Sequence, residues 1–218
     1  MPIKVNEIFK SIQGESTHAG LPCTFIRLSG CNVRCNYCDT RYAYEEGDEM
    51  EIEDILSRIK SFNCNLVEIT GGEPLAQGEA DLLIEALLSE GYKVLVETNG
   101  TLSIEPLSRL RKAGELHIIL DIKTPSSGVS DRVCWDNLKH VTADDEIKFV
   151  LGYRRDYDWS LEVIDKYKLI GRCPILFSPI YKVLEPSSLV EWMMEDGLDV
   201  RLNLQLHKII WSSETRGV

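Results

Sequence analysis

Cys31, Cys35 and Cys38 lie on one short stretch in the pattern Cys-x-x-x-Cys-x-x-Cys. Three thiolates so spaced can hold three irons of a cubane [4Fe–4S] cluster and leave the fourth iron without a protein ligand. An iron open in this way can bind a small molecule and pass it an electron. A closed electron-transfer cluster or a structural zinc site asks for a fourth ligand at short spacing. The nearest other cysteines are Cys23, upstream, and Cys64, far downstream, so a zinc knuckle would have to recruit Cys64 or the distant His18. Seven cysteines, an odd number, in 218 residues without a secretory signal peptide do not read as a disulfide scaffold. Cys64, Cys134 and Cys173 sit singly among apolar residues and read as small buried hydrophobes.

A second group of residues recurs at alternate positions in short apolar segments. Successive strand side chains face opposite ways, so Glu68 shares a face with Thr70, Glu97 with Asn99, and Asp121 with Lys123. Farther on, Arg201, Asn203, Gln205 and His207 alternate with Leu202, Leu204 and Leu206. A purely structural barrel fills its interior with Val, Ile and Leu. Charges gathered toward strand C-termini point instead to a wet, polar ligand cavity.

The elements that must position these residues repeat as a short apolar strand followed by an amphipathic helix. Strands are expected at Thr24–Ser29, Leu66–Thr70, Lys93–Thr98, His117–Lys123, Glu146–Leu151, Ile175–Ser178 and Val200–His207. Between them, Ile52, Ile55, Leu56 and Ile59 make one helical stripe, and further helices are expected at Glu79–Glu90, Glu105–Ala113, Tyr157–Lys168 and Pro186–Glu195. Alternation of this kind predicts an α/β fold with parallel strands and right-handed crossovers. A full eight-unit barrel takes about 250 residues. The expectation is therefore a partial, open β/α barrel of about six parallel strands, forming one domain over residues 1–218.

Composition is that of a soluble globular protein, with 44% hydrophobic and 27% charged residues. The formal net charge of −11 argues against direct nucleic-acid binding. No apolar run approaches a bilayer span, which argues against a membrane protein. A cytoplasmic location suits both the charge and an oxygen-sensitive cluster.

The cysteine loop, with aromatic Tyr37 just before the last cysteine, and the later Gly71-Gly72-Glu73-Pro74 resemble the radical S-adenosylmethionine (SAM) superfamily. The segments Ser11-Ile12-Gln13-Gly14-Glu15-Ser16, Phe25-Ile26-Arg27-Leu28-Ser29-Gly30 and Cys38-Asp39-Thr40 resemble its 7-carboxy-7-deazaguanine synthase family. So do Asp121-Ile122-Lys123-Thr124-Pro125-Ser126 and the stretch from Gln205-Leu206-His207-Lys208 to Arg216-Gly217-Val218, so the likeness spans essentially the whole chain.

The resemblance implies a radical SAM lyase that converts 6-carboxy-5,6,7,8-tetrahydropterin to 7-carboxy-7-deazaguanine, on the route to queuosine in tRNA and other 7-deazapurines. SAM is cleaved at a reduced cluster, and the 5′-deoxyadenosyl radical takes a hydrogen from C6 of the pterin. The substrate radical rearranges, recovers a hydrogen and loses ammonia, with SAM regenerated and Mg2+ assisting. Carried over by position, Cys31, Cys35 and Cys38 hold the cluster, and Tyr37, Asp39, Gly72, Glu73, Lys123, Thr124 and Ser126 bind SAM. Thr40 offers its hydroxyl to Mg2+. Ile12, Gln13, Gly14, Glu15, Arg27, Thr70, Gln205, His207 and Val218 bind the pterin, with Arg27 at its carboxylate, in an N-terminal substrate-binding extension. A homodimer and a flavodoxin or ferredoxin as electron donor are also implied.

Plainer readings stand beside these roles. Gln13-Gly14-Glu15 could be a turn, Arg27 an ion-pair partner, His207 a satisfied core histidine, and Glu73 a helix N-terminal carboxylate. Two other functions compete: an activating enzyme that makes a glycyl radical on a partner protein, and a non-catalytic iron–sulfur or zinc module.

Overall fold

The computed structural model describes residues 2–111, 115–213 and 215–218. The chain begins with a hairpin that the alternation of apolar residues did not announce: β1 (Ile3–Ile12) runs antiparallel to β2 (Pro22–Leu28). A bulge between Val5 and Glu7 shifts the register, so Ile3, Val5 and Ile8 are all buried without a strict period of two. A short β3 (Asp48–Met50) pairs with the outer edge of β1.

Beyond the hairpin the expected alternation holds. After α1 (Ile52–Lys60) come β4 (Leu66–Gly71), α2 (Ala80–Ser89), β5 (Lys93–Thr98), the single turn α3 (Glu105–Ser108) and β6 (Leu116–Ile122). Then follow β7 (Glu146–Leu151), α4 (Arg154–Tyr167), β8 (Ile175–Pro179), α5 (Pro186–Asp196), β9 (Arg201–Leu202) and α6 (Leu206–Ile210). The nine strands among the described residues form one sheet in the order β3-β1-β2-β4-β5-β6-β7-β8-β9, parallel from β2 to β9 and not closed into a ring.

Each parallel strand divides its side chains between two environments. Val67, Ile69, Val94, Val96, Ile118, Leu120, Ile147 and Phe149 face outward into the main core. Ile55 and Ile59 of α1 and Leu83, Ile84 and Leu87 of α2 cover them. On the inner face, Cys23, Phe25, Leu66, Leu95 and Ile119 make a small apolar layer near the strand N-termini, with Phe9 stacked on Phe25 at 5.0 Å. One alternation farther along the same strands the inner residues become Arg27, Glu68, Glu97 and Asp121. The inner face is therefore apolar at its base and charged above.

Several boundaries differ from expectation. The strand expected at Val200–His207 stops at Leu202. Asn203 still donates its N–H to the Phe177 carbonyl at 2.8 Å, but three residues on the chain has left the sheet: Leu206 N–H bonds the Gly14 carbonyl at 2.9 Å and starts α6. The single polar face expected from Arg201 to His207 is thus not formed, and Arg201 is exposed. α4 begins at Arg154 rather than Tyr157, because buried Asp156 accepts from the N–H groups of Gly152 and Tyr153 at 2.9 and 3.1 Å. The expected helix Glu105–Ala113 is one turn within the described residues, and Ala113 lies outside them. Cys64, Cys134 and Cys173 are half-buried rather than buried, whereas Cys23 is fully enclosed. Among the described residues, no helix is long and apolar enough to cross a membrane.

Candidate active site

The hollow of the curved sheet holds a cavity of about 600 Å³ at the C-terminal ends of the parallel strands. Its rim is the cysteine loop, which leaves β2 through Gly30. The end of β4 lies directly against that loop. A Cβ on Gly72 would stand 2.1 Å from the Gly30 carbonyl oxygen and 2.8 Å from the Cys31 Cβ. Only glycine permits this approach. The neighbouring amides fix it, with Gly72 N–H on the Leu28 carbonyl at 3.2 Å and Glu73 N–H on the Gly30 carbonyl at 2.8 Å.

Cys31, Cys35 and Cys38 are all free thiols and all line this cavity. Among the described residues no three His, Cys, Asp or Glu groups converge on a single ion. A cubane cluster does not ask for that, since each thiolate binds its own iron. The three thiols and the open space beside them fit a cluster with one uncommitted iron. They do not fit a zinc knuckle: His18 and Cys64 lie together in a separate cleft at the opposite, N-terminal end of the strands, where His18 meets His117 edge-on at 5.1 Å.

Residues expected on the SAM side divide into two groups. Tyr37, Asp39, Gly72 and Lys123 line the cavity. Lys123 pairs with Asp121 at 2.6 Å, and its ammonium lies 6.0 Å from the Tyr37 ring centre. Burial opposes the Lys123 charge, but Asp121 and the groups around it hold its pKa above the ordinary value. Glu73, Thr124 and Ser126 instead sit behind the wall. Glu73 is fully buried and accepts from Thr98 Oγ1 at 2.8 Å, Asn99 N–H at 2.7 Å and Leu75 N–H at 3.1 Å. Burial raises its pKa despite these donors. Thr124 donates its hydroxyl to the Val150 carbonyl at 2.6 Å, and Ser126 N–H bonds Asp156 at 2.9 Å. The plainer reading of Glu73, a carboxylate that caps the following turn, is the one its geometry displays. Thr40 lines the cavity with its hydroxyl 3.7 Å from the Cys38 sulfur.

The floor is built from side chains. Gln13 is buried, accepts from the Glu15 N–H at 2.7 Å and donates its amide to Glu68. Glu15 binds Lys148 Nζ at 3.1 Å, Asn203 Nδ2 at 3.1 Å and Gln205 Nε2 at 3.0 Å. Lys148 also pairs with Glu97. Burial works against every charge here. Lys148 overcomes it for Glu15, whose pKa falls, while Glu15 and Glu97 hold the lysine well above its usual range. Among the described residues no cation pairs directly with Glu68, and burial, with Glu97 and Glu15 beside it, pushes its pKa well up.

Arg27, on the wall, pairs through Nε with Glu7 at 2.8 Å, and the Tyr42 hydroxyl donates to the same carboxylate at 3.0 Å. His207 lies over Gly14, where a Cβ would come 2.9 Å from its Nδ1. Burial lowers the His207 pKa. Ile12, Thr70 and Val218 also line the cavity. The turn reading of Gln13-Gly14-Glu15 and the ion-pair reading of Arg27 are therefore both structurally present, within the cavity wall itself.

Lys148 was missed as a site residue. Its signal was a lysine at an inner alternate position of the apolar segment Glu146–Leu151. Glu7, Tyr42, Lys208 and Arg216 also line the cavity; Lys208 and Arg216 stand in the C-terminal stretch that carried the resemblance, and no local pattern marks Glu7 and Tyr42. Lys208 pairs with Asp39 at 2.6 Å, and the Arg216 guanidinium covers the Tyr42 ring at 3.8 Å, so the C-terminal segment spans the mouth.

Residues 25–180 match the model of the radical SAM superfamily. The 7-carboxy-7-deazaguanine synthase of Chlorobaculum tepidum is 44% identical over all of this chain and 98% of its own length. That of Koribacter versatilis is 39% identical over 99% of this chain and all of its own. The crystal structure of QueE from Escherichia coli superposes with a TM-score of 0.76 at 26% identity, covering 95% of each chain.

Proposed function

Because the chain belongs to the radical SAM superfamily and, within it, to the 7-carboxy-7-deazaguanine synthase family, we propose how its own residues divide the work of that synthesis. The reaction is the conversion of 6-carboxy-5,6,7,8-tetrahydropterin to 7-carboxy-7-deazaguanine with loss of ammonia. The [4Fe–4S] cluster and SAM, when bound, supply a 5′-deoxyadenosyl radical that starts the rearrangement.

Cys31, Cys35 and Cys38 hold three irons at the rim of the cavity. The Tyr37 and Gly72 backbones and the Lys123 ammonium face the space beside them, where SAM would lie. Glu73 acts from behind: its carboxylate ties the Gly72 turn to Thr98 and Asn99, and so keeps the β4 end against the cysteine loop. Thr124 and Ser126 hold the Lys123 segment in the same indirect way. Thr40 would offer its hydroxyl to Mg2+, a hard cation that keeps few protein ligands and takes substrate oxygen besides.

Gln13, Glu15 and Glu68 present acceptors and an amide to the pterin's aminopyrimidinone edge. Burial raises the Glu68 pKa while Lys148 lowers that of Glu15, so of the two carboxyls Glu68 keeps a proton the more readily. Arg27 spends Nε on Glu7, leaving its terminal nitrogens for the substrate carboxylate. Thr70, Gln205, His207 and the Val218 carboxylate complete the walls.

The observation that carries this reading is the charged floor in the same cavity as the three thiols. An enzyme that makes a glycyl radical on a protein, or an iron–sulfur or zinc scaffold, has no use for such a floor. The chain would work as one domain over residues 1–218, in the cytoplasm, reduced by a flavodoxin or ferredoxin. Assembly as a homodimer is supported by exposed Val190 and Met194 on α5 and exposed Ile209 and Ile210 on α6.

The test is an anaerobic assay of cluster-reconstituted protein with SAM, dithionite, Mg2+ and 6-carboxy-5,6,7,8-tetrahydropterin, read by mass spectrometry. 7-Carboxy-7-deazaguanine in excess over 5′-deoxyadenosine is the expected result. Accumulating 5′-deoxyadenosine with unchanged pterin would overturn the substrate assignment.

A further inference from the structure

The short helix α6 touches the floor of the cavity and its rim at once. Its first residue, Leu206, gives its N–H to the Gly14 carbonyl at 2.9 Å. His207 packs over Gly14 so closely that a Cβ there would stand 2.9 Å from the ring Nδ1. A shift of the Gln13-Gly14-Glu15 turn is therefore carried to α6. The next residue, Lys208, reaches the cysteine loop, where its ammonium donates to Asp39 Oδ2 at 2.6 Å. Asp39 directly follows Cys38.

A line of side chains makes the same connection. Lys208 Nζ also donates to Gln205 Oε1 at 2.7 Å, and Gln205 Nε2 donates to Glu15 Oε1 at 3.0 Å and to Asp39 Oδ2 at 3.4 Å. An ammonium can only donate, so Lys208 claims the oxygen end of the Gln205 amide. The NH2 end must then face the two carboxylates. Lys208 is held in turn: its side chain is 8% exposed, and its ammonium lies 5.4 Å from the Tyr181 ring centre. Glu15 belongs to the floor that takes the pterin, and Asp39 to the loop that takes the cluster and SAM. One cation orders both.

We propose that Lys208 is a positioning residue that couples the two sites, so that pterin binding at Glu15 sets the cysteine loop for SAM through Gln205, Lys208 and Asp39. Pterin N–H groups on the remaining lone pairs of Glu15 hold the turn still, and with it Gln205 and α6. Lys208 and Asp39 lose freedom before SAM arrives, so SAM binding has less of the loop left to order. Coupling of this kind is reciprocal, and SAM must tighten the pterin by the same factor. The inference rests on the proposed function, which assigns the floor to the pterin and the loop to SAM.

The test is anaerobic titration calorimetry of reconstituted protein with Mg2+ and without reductant, so that both ligands bind and neither reacts. SAM is titrated with and without saturating 6-carboxy-5,6,7,8-tetrahydropterin. In the wild type the pterin should tighten SAM about tenfold, inside the usual range of coupling between sites. Lys208→Met should bring that factor to about twofold or less, while SAM alone binds within about threefold of its wild-type affinity. Direct contact between SAM and pterin is common to both proteins, so the difference isolates the lysine. Lys208→Arg, which keeps the cation, should restore most of the factor. Gln205→Leu breaks the line one link away and should lose the factor too, and adding Lys208→Met to it should remove no more.

A wild-type factor near one, or one that Lys208→Met leaves unchanged, would overturn the inference. So would weaker binding of SAM alone with the factor intact, since the lysine would then only hold the loop. Iron content shows whether each variant keeps its cluster, and if Lys208→Met does not, Gln205→Leu and Lys208→Arg decide the matter. Wild-type protein that binds SAM but not the pterin would overturn the substrate assignment and the coupling together. Pterin binding with a factor indifferent to Lys208 would overturn the coupling alone.

Discussion

The rim and the floor of the cavity are made of different materials. Around the cysteine loop the chain offers thiols, backbone and glycine, with Gly72 pressed against Gly30 so closely that no side chain fits between them. On the floor it offers side chains alone: Gln13, Glu15, Glu68, Glu97, Lys148 and Asn203, drawn from five different segments and locked by one another. A surface made of backbone is held by sterics and is insensitive to pH. A surface made of mutually paired charges is held by electrostatics and depends on every partner remaining. The two ends should therefore fail in different ways.

The largest effect is expected at the rim. Cys35→Ser should leave a folded protein that binds no stable [4Fe–4S] cluster and has no turnover, read as loss of iron and of absorbance near 400 nm. A reconstituted variant with wild-type iron content and activity would break the comparison, because the loop would then not be the ligand set.

Lys148→Met attacks the floor by leaving Glu15 and Glu97 buried without their cation. Removing one partner of a buried charge pair costs about 3–5 kcal/mol, measurable by urea unfolding at neutral pH. The sign with pH follows from Glu15. Its folded pKa is depressed, so its contribution is present above the unfolded carboxylate value and lost as pH falls through the folded one. The gap between wild type and Lys148→Met should therefore close in acid. A gap constant with pH would mean that the lysine acts by packing instead.

Gly72→Ala sharpens the contrast from the other end. Its Cβ would overlap the Gly30 carbonyl, and overpacking of this kind costs about 1–3 kcal/mol. That loss should be the same at every pH, and should come with weaker cluster retention as the loop is pushed away.

The smallest effect has the opposite sign. Glu68 has a raised folded pKa, so the folded state binds more protons than the unfolded one between the two values, and stability falls as pH rises through that interval. Glu68→Gln keeps an acceptor for the Gln13 amide and removes the charge. It should raise thermal stability at alkaline pH, by on the order of 1 kcal/mol, with little change in acid. Equal stability of the two proteins at alkaline pH would show that Glu68 is not carrying a buried charge there.

Much of this was legible in advance where the pattern was local. The strand–helix alternation from β4 to α5 follows from periodicities of two and 3.6, and apart from α3, a single turn within the described residues, those strands and helices stand within a few residues of their expected limits. The inner polar pairs Glu68 with Thr70 and Asp121 with Lys123 follow from the same alternation, and the latter pair is a direct ion pair at 2.6 Å. β1 was not legible, because its bulge interrupts the alternation that would have marked it. The last strand was overextended, because Arg201 to His207 alternates in sequence while Leu206 gives its backbone donor to Gly14 rather than to a neighbouring strand. The resemblance of Gly71-Gly72-Glu73-Pro74 placed Glu73 beside SAM. The fold turns the side chain the other way, to Thr98 and Asn99, since a fully buried carboxylate goes where three donors await it.

The sequence by itself determined the chemistry available to this protein: three thiols at cluster spacing, a glycine turn to lie against them, and polar residues on the inner side of parallel strands. These are properties of neighbours along the chain, and short-range geometry suffices to read them. Only the tertiary structure decided which charges meet. Glu15 and Lys148 are separated by 133 positions and Glu15 and Asn203 by 188, yet each pair comes within 3.1 Å, because the sheet curls until its first hairpin and its last strand share a floor. Arg132 reaches the cysteine loop across 100 positions for the same reason. No local pattern encodes such meetings, since they depend on the twist and curvature summed over every strand between.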